Sequence, residues 1–314
     1  MAVTIINSTK AELAGPLDAR WDGPHMDISF PDPTILKDGD TWKAYATSSN
    51  NAHIPIAESS DAVSWTFTDT DALPDVGSWV SSSDRGIWAP DVFKNDDGQF
   101  VMYYSGKQEG GARCIGAATS STSSGPFAPQ DQPLICDQEN GGAIDPVGFD
   151  DGEYRWIMWK VDGNALGGAT TCTGGDHSSD YKPTPIKIQK VSRDGLSLEG
   201  SAKTILDNNG EEDDGVVEGP SMHKVNPGEY VLFFSTHCYS SDSYDIQYAW
   251  AGAPDVEFGS RGILAQSNAD EPIYGPGHMD IDTDGAHIVF HGRTSPGNPS
   301  GSKRYMFSGL IGFQ

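Results

Sequence analysis

Three acidic residues in this chain stand in short segments of similar spelling: Asp32 in Phe30-Pro31-Asp32-Pro33, Asp145 in Ile144-Asp145-Pro146, and Glu218 in Val217-Glu218-Gly219-Pro220. Taken singly, an Asp before a Pro opens a turn and caps its own backbone. Three acids at one repeated position, far apart in sequence, point elsewhere. Carboxylates gathered in one place repel and perturb one another's protonation, an arrangement kept for chemistry or for a cation. Two carboxylates acting on a neutral polymer are the equipment of glycosidic-bond hydrolysis: one protonates the leaving oxygen, the other activates water or attacks the sugar carbon. A third can keep the acid protonated by like-charge repulsion. Glu has the longer reach, so Glu218 is expected to be the proton donor and Asp32 the base.

Residues so far apart need a scaffold that brings them together. Convincing helix signals are scarce. Five segments read strand, tight turn, strand: ILKDGDTWKAYAT, VFKNDDGQFVMYYSG, VGFDDGEYRWIMWK, MHKVNPGEYVLFFST and IDTDGAHIVFHG. Their opening residues Asp32, Asp91, Asp145, Glu218 and His278 recur at intervals of about 55 to 75 residues, a period that suits one four-stranded blade. Third and fourth strands follow in IPIAESSDAVSWTF, CIGAATSSTSSGPFAP, IKIQKVSRDGLSLEG and IQYAWAGAPDVEFG. The fifth copy has only KRYMFSGLIGF before the chain ends, so its sheet needs a strand from elsewhere. AVTIIN (Ala2–Asn7), within the first 25 residues, is the expected donor that closes the ring. The expected fold is all-β, a five-bladed β-propeller forming a single domain over residues 1–314. A β-sandwich is the alternative, but it would not produce the five-fold echo. In a propeller, the start of each innermost strand faces one central funnel, so Asp32, Asp145 and Glu218 should converge there.

Bulk composition agrees. The 314 residues include 37 Gly and 20 Pro, with 12 Phe, 11 Tyr and 8 Trp to fill a core, favouring many short elements joined by turns. A net charge of −25 repels phosphate backbones and anionic lipid, so nucleic-acid and membrane-surface roles are not expected. No apolar run is long enough to cross a membrane as a helix. Four cysteines without metal-site spacing lean towards two disulfides and a secreted, extracellular protein. Cys114–Cys136 with Cys172–Cys238 is the expected pairing, one of three possible. The start lacks a signal-peptide pattern, and its Met is read as standing in for a removed leader. The acidic run Asn208 to Gly215 is expected to be a solvated loop before the fourth blade.

The segments containing Asp32, Trp88-Ala89-Pro90-Asp91, Asp145 and Glu218, together with Gly275-Pro276-Gly277-His278, resemble the blade-opening motifs of glycoside hydrolase family 43. They fall in that family's order and span Asp32 to Gly292. The resemblance implies an inverting mechanism with Asp32 as general base, Asp145 as pKa modulator and orienter, and Glu218 as general acid. Inversion leaves room for water, with base and acid carboxyls about 6.5–9.5 Å apart. Related retaining families that cut fructans carry Arg before the second acid and Cys after the Glu; this chain has Ile144 and Gly219 there. Further expectations are Phe30, Trp88 and Ile144 as walls of a sugar pocket and Arg293 as a contact to substrate hydroxyls. His278 is expected beside an axial Ca²⁺, held largely through water; no organic cofactor is implied. The implied partner is plant cell-wall polysaccharide carrying arabinose or xylose, acted on by a monomer that is catalytic domain only. The first expectation is an exo-acting α-L-arabinofuranosidase, with β-xylosidase activity possible in the same pocket. Endo-1,5-arabinanase and β-1,4-xylosidase are the nearest alternatives, and a sugar-binding propeller without catalysis is a more distant one.

Overall fold

The computed structural model describes residues 17–175, 179–298 and 302–313. Among the described residues, twenty strands form five separate four-stranded antiparallel sheets, and the only helices are short 3₁₀ turns. All five expected hairpins form, and each supplies the first two strands of one blade. They are Thr34–Asp38 with Thr41–Tyr45, Trp88–Lys94 with Phe100–Lys107, Ala143–Asp150 with Arg155–Val161, Val217–Asn226 with Glu229–Thr236, and Tyr274–Ile281 with His287–Arg293. The first strands pack against one another in a closed ring, blade one to two and onward, with blade five back against blade one. The fold is the expected five-bladed β-propeller.

Blade five is completed by the N-terminal segment. Leu17–His25 pairs antiparallel with Tyr305–Phe313, from Leu17 opposite Phe313 to His25 opposite Met306. The stretch expected to do this, Ala2–Asn7, lies outside the described residues. The first and last described strands thus share one sheet, which removes an exposed edge and ties the ring shut. Alternating apolar faces fill the spaces between blades. Tyr45, Met102, Tyr104 and Phe127 pack between blades one and two, while Met158, Leu232 and Phe234 pack between blades three and four. Cys114–Cys136 and Cys172–Cys238 are disulfide-bonded as expected. The acidic run before blade four is not simply solvated. Asp213 is buried, and Arg261 donates to its carboxylate at 2.7 Å.

One backbone device repeats around the axis. Asp32, Ala89, Asp145, Gly219 and His278 all take positive φ, at 51°, 42°, 54°, 56° and 52°. The first four precede a proline, which disfavours right-handed helical backbone. For the non-glycine members this conformation costs about 1–3 kcal/mol each, a cost usually met at functional sites. The kink interrupts strand pairing, as at Trp88/Asp91, Ile144/Val147 and Glu218/Ser221. It sharpens the repeat. The structurally equivalent residues are Asp32, Ala89, Asp145, Gly219 and His278, so Glu218 stands one residue before the kink and Asp91 two residues after it. Glu218 is therefore the counterpart of Trp88 and Ile144.

Candidate active site

The kinks turn the side chains at and just before them into a cavity of about 310 Å³ at one mouth of the funnel, lined by Asp32, Asp145, Glu218, His278, Trp88 and Ile144 among others. The three acids come from blades one, three and four, and each has its own surroundings.

Asp32 is held from three sides. Arg304 donates to Oδ1 at 2.7 Å and the Thr47 hydroxyl to Oδ2 at 2.6 Å, while the Asp32 N–H donates to His291 Nδ1 at 3.1 Å. Burial pushes its carboxyl up, but the Arg304 guanidinium overcomes this and holds the group well below the usual carboxylate range. Asp32 is thus an anion throughout the working pH range. Burial, followed by Arg304, pushes His291 down to about 4. That keeps the imidazole neutral, so Nδ1 can accept the Asp32 N–H.

Asp145 behaves differently. Its N–H donates to the Ser105 hydroxyl at 3.1 Å, and its Oδ2 accepts the Gly219 N–H at 3.0 Å. Burial raises its carboxyl to about 6; His278 and Lys160 oppose the rise, while Glu218 and Asp32 add to it. The bond to Gly219 places this carboxylate against the backbone that carries Glu218. A side chain at Gly219 would meet the His278 ring, with a Cβ only 2.9 Å from Nδ1, so glycine is required there both for φ and for space.

Glu218 is gripped at both oxygens. Lys160 donates to Oε2 at 2.8 Å, and the Tyr244 hydroxyl donates to Oε1 at 2.9 Å. Tyr244 is itself stacked on His291, with ring centroids 5.7 Å apart.

The expected pocket residues divide. Trp88 is 39% exposed and lines the cavity, with the Arg113 guanidinium 3.3 Å above its ring. Ile144 also lines it. Phe30 does not. It is fully buried among Ile35, Trp42, Val289 and Met306, because the positive φ at Asp32 turns the acid to the funnel and leaves Phe30 in the blade core. Arg293 likewise points away from the cavity: it donates to Asp242 at 2.5 Å and to the carbonyls of Ser241 and Tyr239. It braces the loop that presents Tyr239 to the cavity, and the arginine that lines the cavity is Arg304. Nothing in a single sequence favoured Arg304 over Arg293, since the placement depends on a loop with no strand period. Thr47, Lys160, Asp162, Asn164 and Tyr239 also line the cavity and were not expected from sequence. Lys160 ends the third of the hairpins read from the sequence, and Asp162 and Asn164 follow just beyond it. The signal lay in a lysine inside an otherwise aromatic and apolar strand.

His278 stands between two of the acids, its Nδ1 3.8 Å from Asp32 Oδ1 and its N–H donating to Ser235. Among the described residues no three His, Cys, Asp or Glu side chains are disposed as a metal cage.

A propeller funnel with three carboxylates, one fixed as an anion and one raised to about 6, defines a carbohydrate-cleaving class of site. Comparison with known proteins gives the family. The model of glycosyl hydrolases family 43 matches residues 22–307, and the chain belongs to that family; it is a glycoside hydrolase. It is similar to the extracellular endo-α-(1→5)-L-arabinanase 1 of Bacillus subtilis (strain 168), 26% identical over 88% of this chain and 84% of that protein. It is also similar to a xylosidase/arabinosidase of Bacteroides ovatus, 25% identical over 66% of this chain and 64% of that one. Among solved structures, a thermostable family-43 glycoside hydrolase superposes with a TM-score of 0.77 at 26% identity, covering 94% of each chain.

Proposed function

We propose that the protein is an inverting, exo-acting α-L-arabinofuranosidase on plant cell-wall arabinan or arabinoxylan, with β-D-xylosyl residues as the second sugar to be tried. The observation that carries the reading is the unequal treatment of three carboxylates in one cavity. Asp32 is kept ionised by Arg304 and serves as general base, taking a proton from water. Glu218 serves as general acid on the leaving oxygen. Asp145, hydrogen-bonded to the Gly219 N–H, serves as the modulator and orienter of Glu218.

The exo mode rests on the rim. Cys172 lines the cavity and is cross-linked to Cys238, next to Tyr239 on the loop of the neighbouring blade four. This tie walls one side of the mouth and favours binding a chain end over a long strand. The relative named as an endo-arabinanase makes internal cleavage the competing mode. The two disulfides and the relatives named extracellular support secretion. A Ca²⁺ ion beside His278 is proposed as water-held, because both Asp32 oxygens and Asp145 Oδ2 already accept hydrogen bonds from protein groups. Bound there, it would supply positive charge on the axis. The protein is proposed to act as a monomer.

The test is turnover of nitrophenyl arabinofuranoside, nitrophenyl xyloside and debranched arabinan by the wild type, Asp32→Asn and Glu218→Gln. Arabinose from arabinan is expected, with both variants reduced by about 100-fold or more in kcat. Oligomers without monomer would replace the exo mode by the endo mode, and undiminished variants would move the site elsewhere.

A further inference from the structure

The propeller repeat singles out one residue beyond the three acids. In each blade, the residue before the kink faces a fixed position on the second strand or, in blade one, just past it: Thr47 opposite Pro31, Ser105 opposite Trp88, Lys160 opposite Ile144, Ser235 opposite Glu218, and His291 opposite Gly277. In four blades this position accepts the N–H of the next blade's kink residue. Thr47 takes it from Ala89, Ser105 from Asp145, Ser235 from His278, and His291 from Asp32. Blade three departs from the pattern. Its residue is Lys160, which has no acceptor, and the Gly219 N–H goes to Asp145 instead.

Asp145 keeps the link between blades three and four, and the residue put in the acceptor's place is an ammonium only 1% exposed. Lys160 Nζ lies 2.8 Å from Glu218 Oε2 and 3.3 Å from Asp162 Oδ1. Burial would strip the charge, but Glu218, then Asp162 and Asp145, hold it well above the ordinary lysine range. The cavity therefore keeps a permanent cation against one oxygen of Glu218.

We propose that Lys160 is a positioning residue for glycosidic cleavage. It aims the Glu218 carboxyl into the cavity and stabilises the anion that Glu218 becomes on giving up its proton. This rests on the reading of Glu218 as general acid. As the glycosidic C–O bond breaks, its electron pair goes to the leaving oxygen, which also takes the Glu218 proton. Water loses a proton to Asp32 and forms the new bond to the sugar carbon. Glu218 ends as a carboxylate with Lys160 on Oε2 and Tyr244 on Oε1, the arrangement seen here. Lys160 thus strengthens the acid by favouring its conjugate base. Asp162 holds the ammonium in place while Glu218 is protonated.

The prediction separates leaving groups. An acid matters for a poor leaving group and little for one that departs unaided. On aryl glycosides of whichever sugar the enzyme accepts, Lys160→Met should lose about tenfold or more in kcat with a phenyl leaving group and about threefold or less with dinitrophenyl. The alkaline limb of its phenyl-glycoside pH profile should move to higher pH, and Lys160→Arg should recover much of the loss. Lys160→Gln carries the same test should the Met variant fail to fold, as read by its melting curve. Equal losses on both leaving groups, or no loss, would overturn the proposal. Glu218→Ala is the control for the reading beneath it. If that variant discriminates leaving groups and the lysine variants do not, only the role of Lys160 fails. If Glu218→Ala does not discriminate, the acid assignment fails first.

Discussion

At the scale of single residues, the site works by giving like side chains unlike surroundings. Asp145 is buried and Asp32 largely so, both in the same kinked backbone, yet Arg304 holds one down while burial lifts the other to about 6. Arg304 is therefore the residue that keeps Asp32 ionised, as the proposed base must be. Replacing it by Met removes the main attraction opposing burial, so Asp32 should take up its proton at higher pH. The acid limb of the kcat/KM profile should then move upward by about one unit or more. Arg293→Met is the contrasting variant. It frees the Tyr239 loop without touching Asp32, so KM should rise while the acid limb stays in place, which parallel pH profiles would check.

At the scale of elements, the second residue after each kink forms an annulus on the axis below the cavity: Thr34, Asp91, Val147, Ser221 and Asp280. The Thr34 hydroxyl lies 3.1 Å from Asp91 Oδ1 and 2.7 Å from Asp280 Oδ2. Ser221 donates to Asp280 Oδ1 at 2.8 Å, and the blade-three Gly148 N–H donates to Asp91 Oδ2 at 2.7 Å. One hydroxyl hydrogen cannot serve two carboxylates, so the pair must hold a proton. Burial and then Asp280 raise Asp91 to about 7. An unfolded Asp titrates near 4, so between these values the folded chain keeps a proton that the unfolded chain has lost. This contribution is full below about pH 4 and is lost as pH rises towards 7. Chemical denaturation at several pH values should show that decline in the wild type. It should be flatter in Asp91→Asn, whose amide supplies the missing donor; parallel curves would count against the shared proton. The repeat was legible in sequence because apolar alternation and Asp-Gly turns mark every hairpin. Its register was legible only to within two residues. Asp91 looked like Asp32 in spelling, but the kink falls at Ala89 and sends Asp91 into the annulus. Lys160 and Arg304 stayed hidden because a lone cation on a strand or loop gives no clue to its partner across blades.

At the scale of the molecule, the ring must stay closed for blades one, three and four to present their acids together. Closure depends on Leu17–His25 pairing with Tyr305–Phe313. Deleting the chain through His25 should leave blade five with an open edge, lower the melting temperature by several degrees and promote association, as followed by calorimetry and light scattering. The rim has its own fastening in Cys172–Cys238. Replacing both cysteines by Ser should raise KM more than it lowers kcat, since the tie shapes the mouth and not the acids. All these pieces serve the proposed arrangement, in which a base and an acid stand on opposite sides of the sugar with water between. The most direct test is proton NMR of the first sugar released from an α-L-arabinofuranoside. The β-anomer appearing first is the result this arrangement predicts, and the α-anomer appearing first would contradict it.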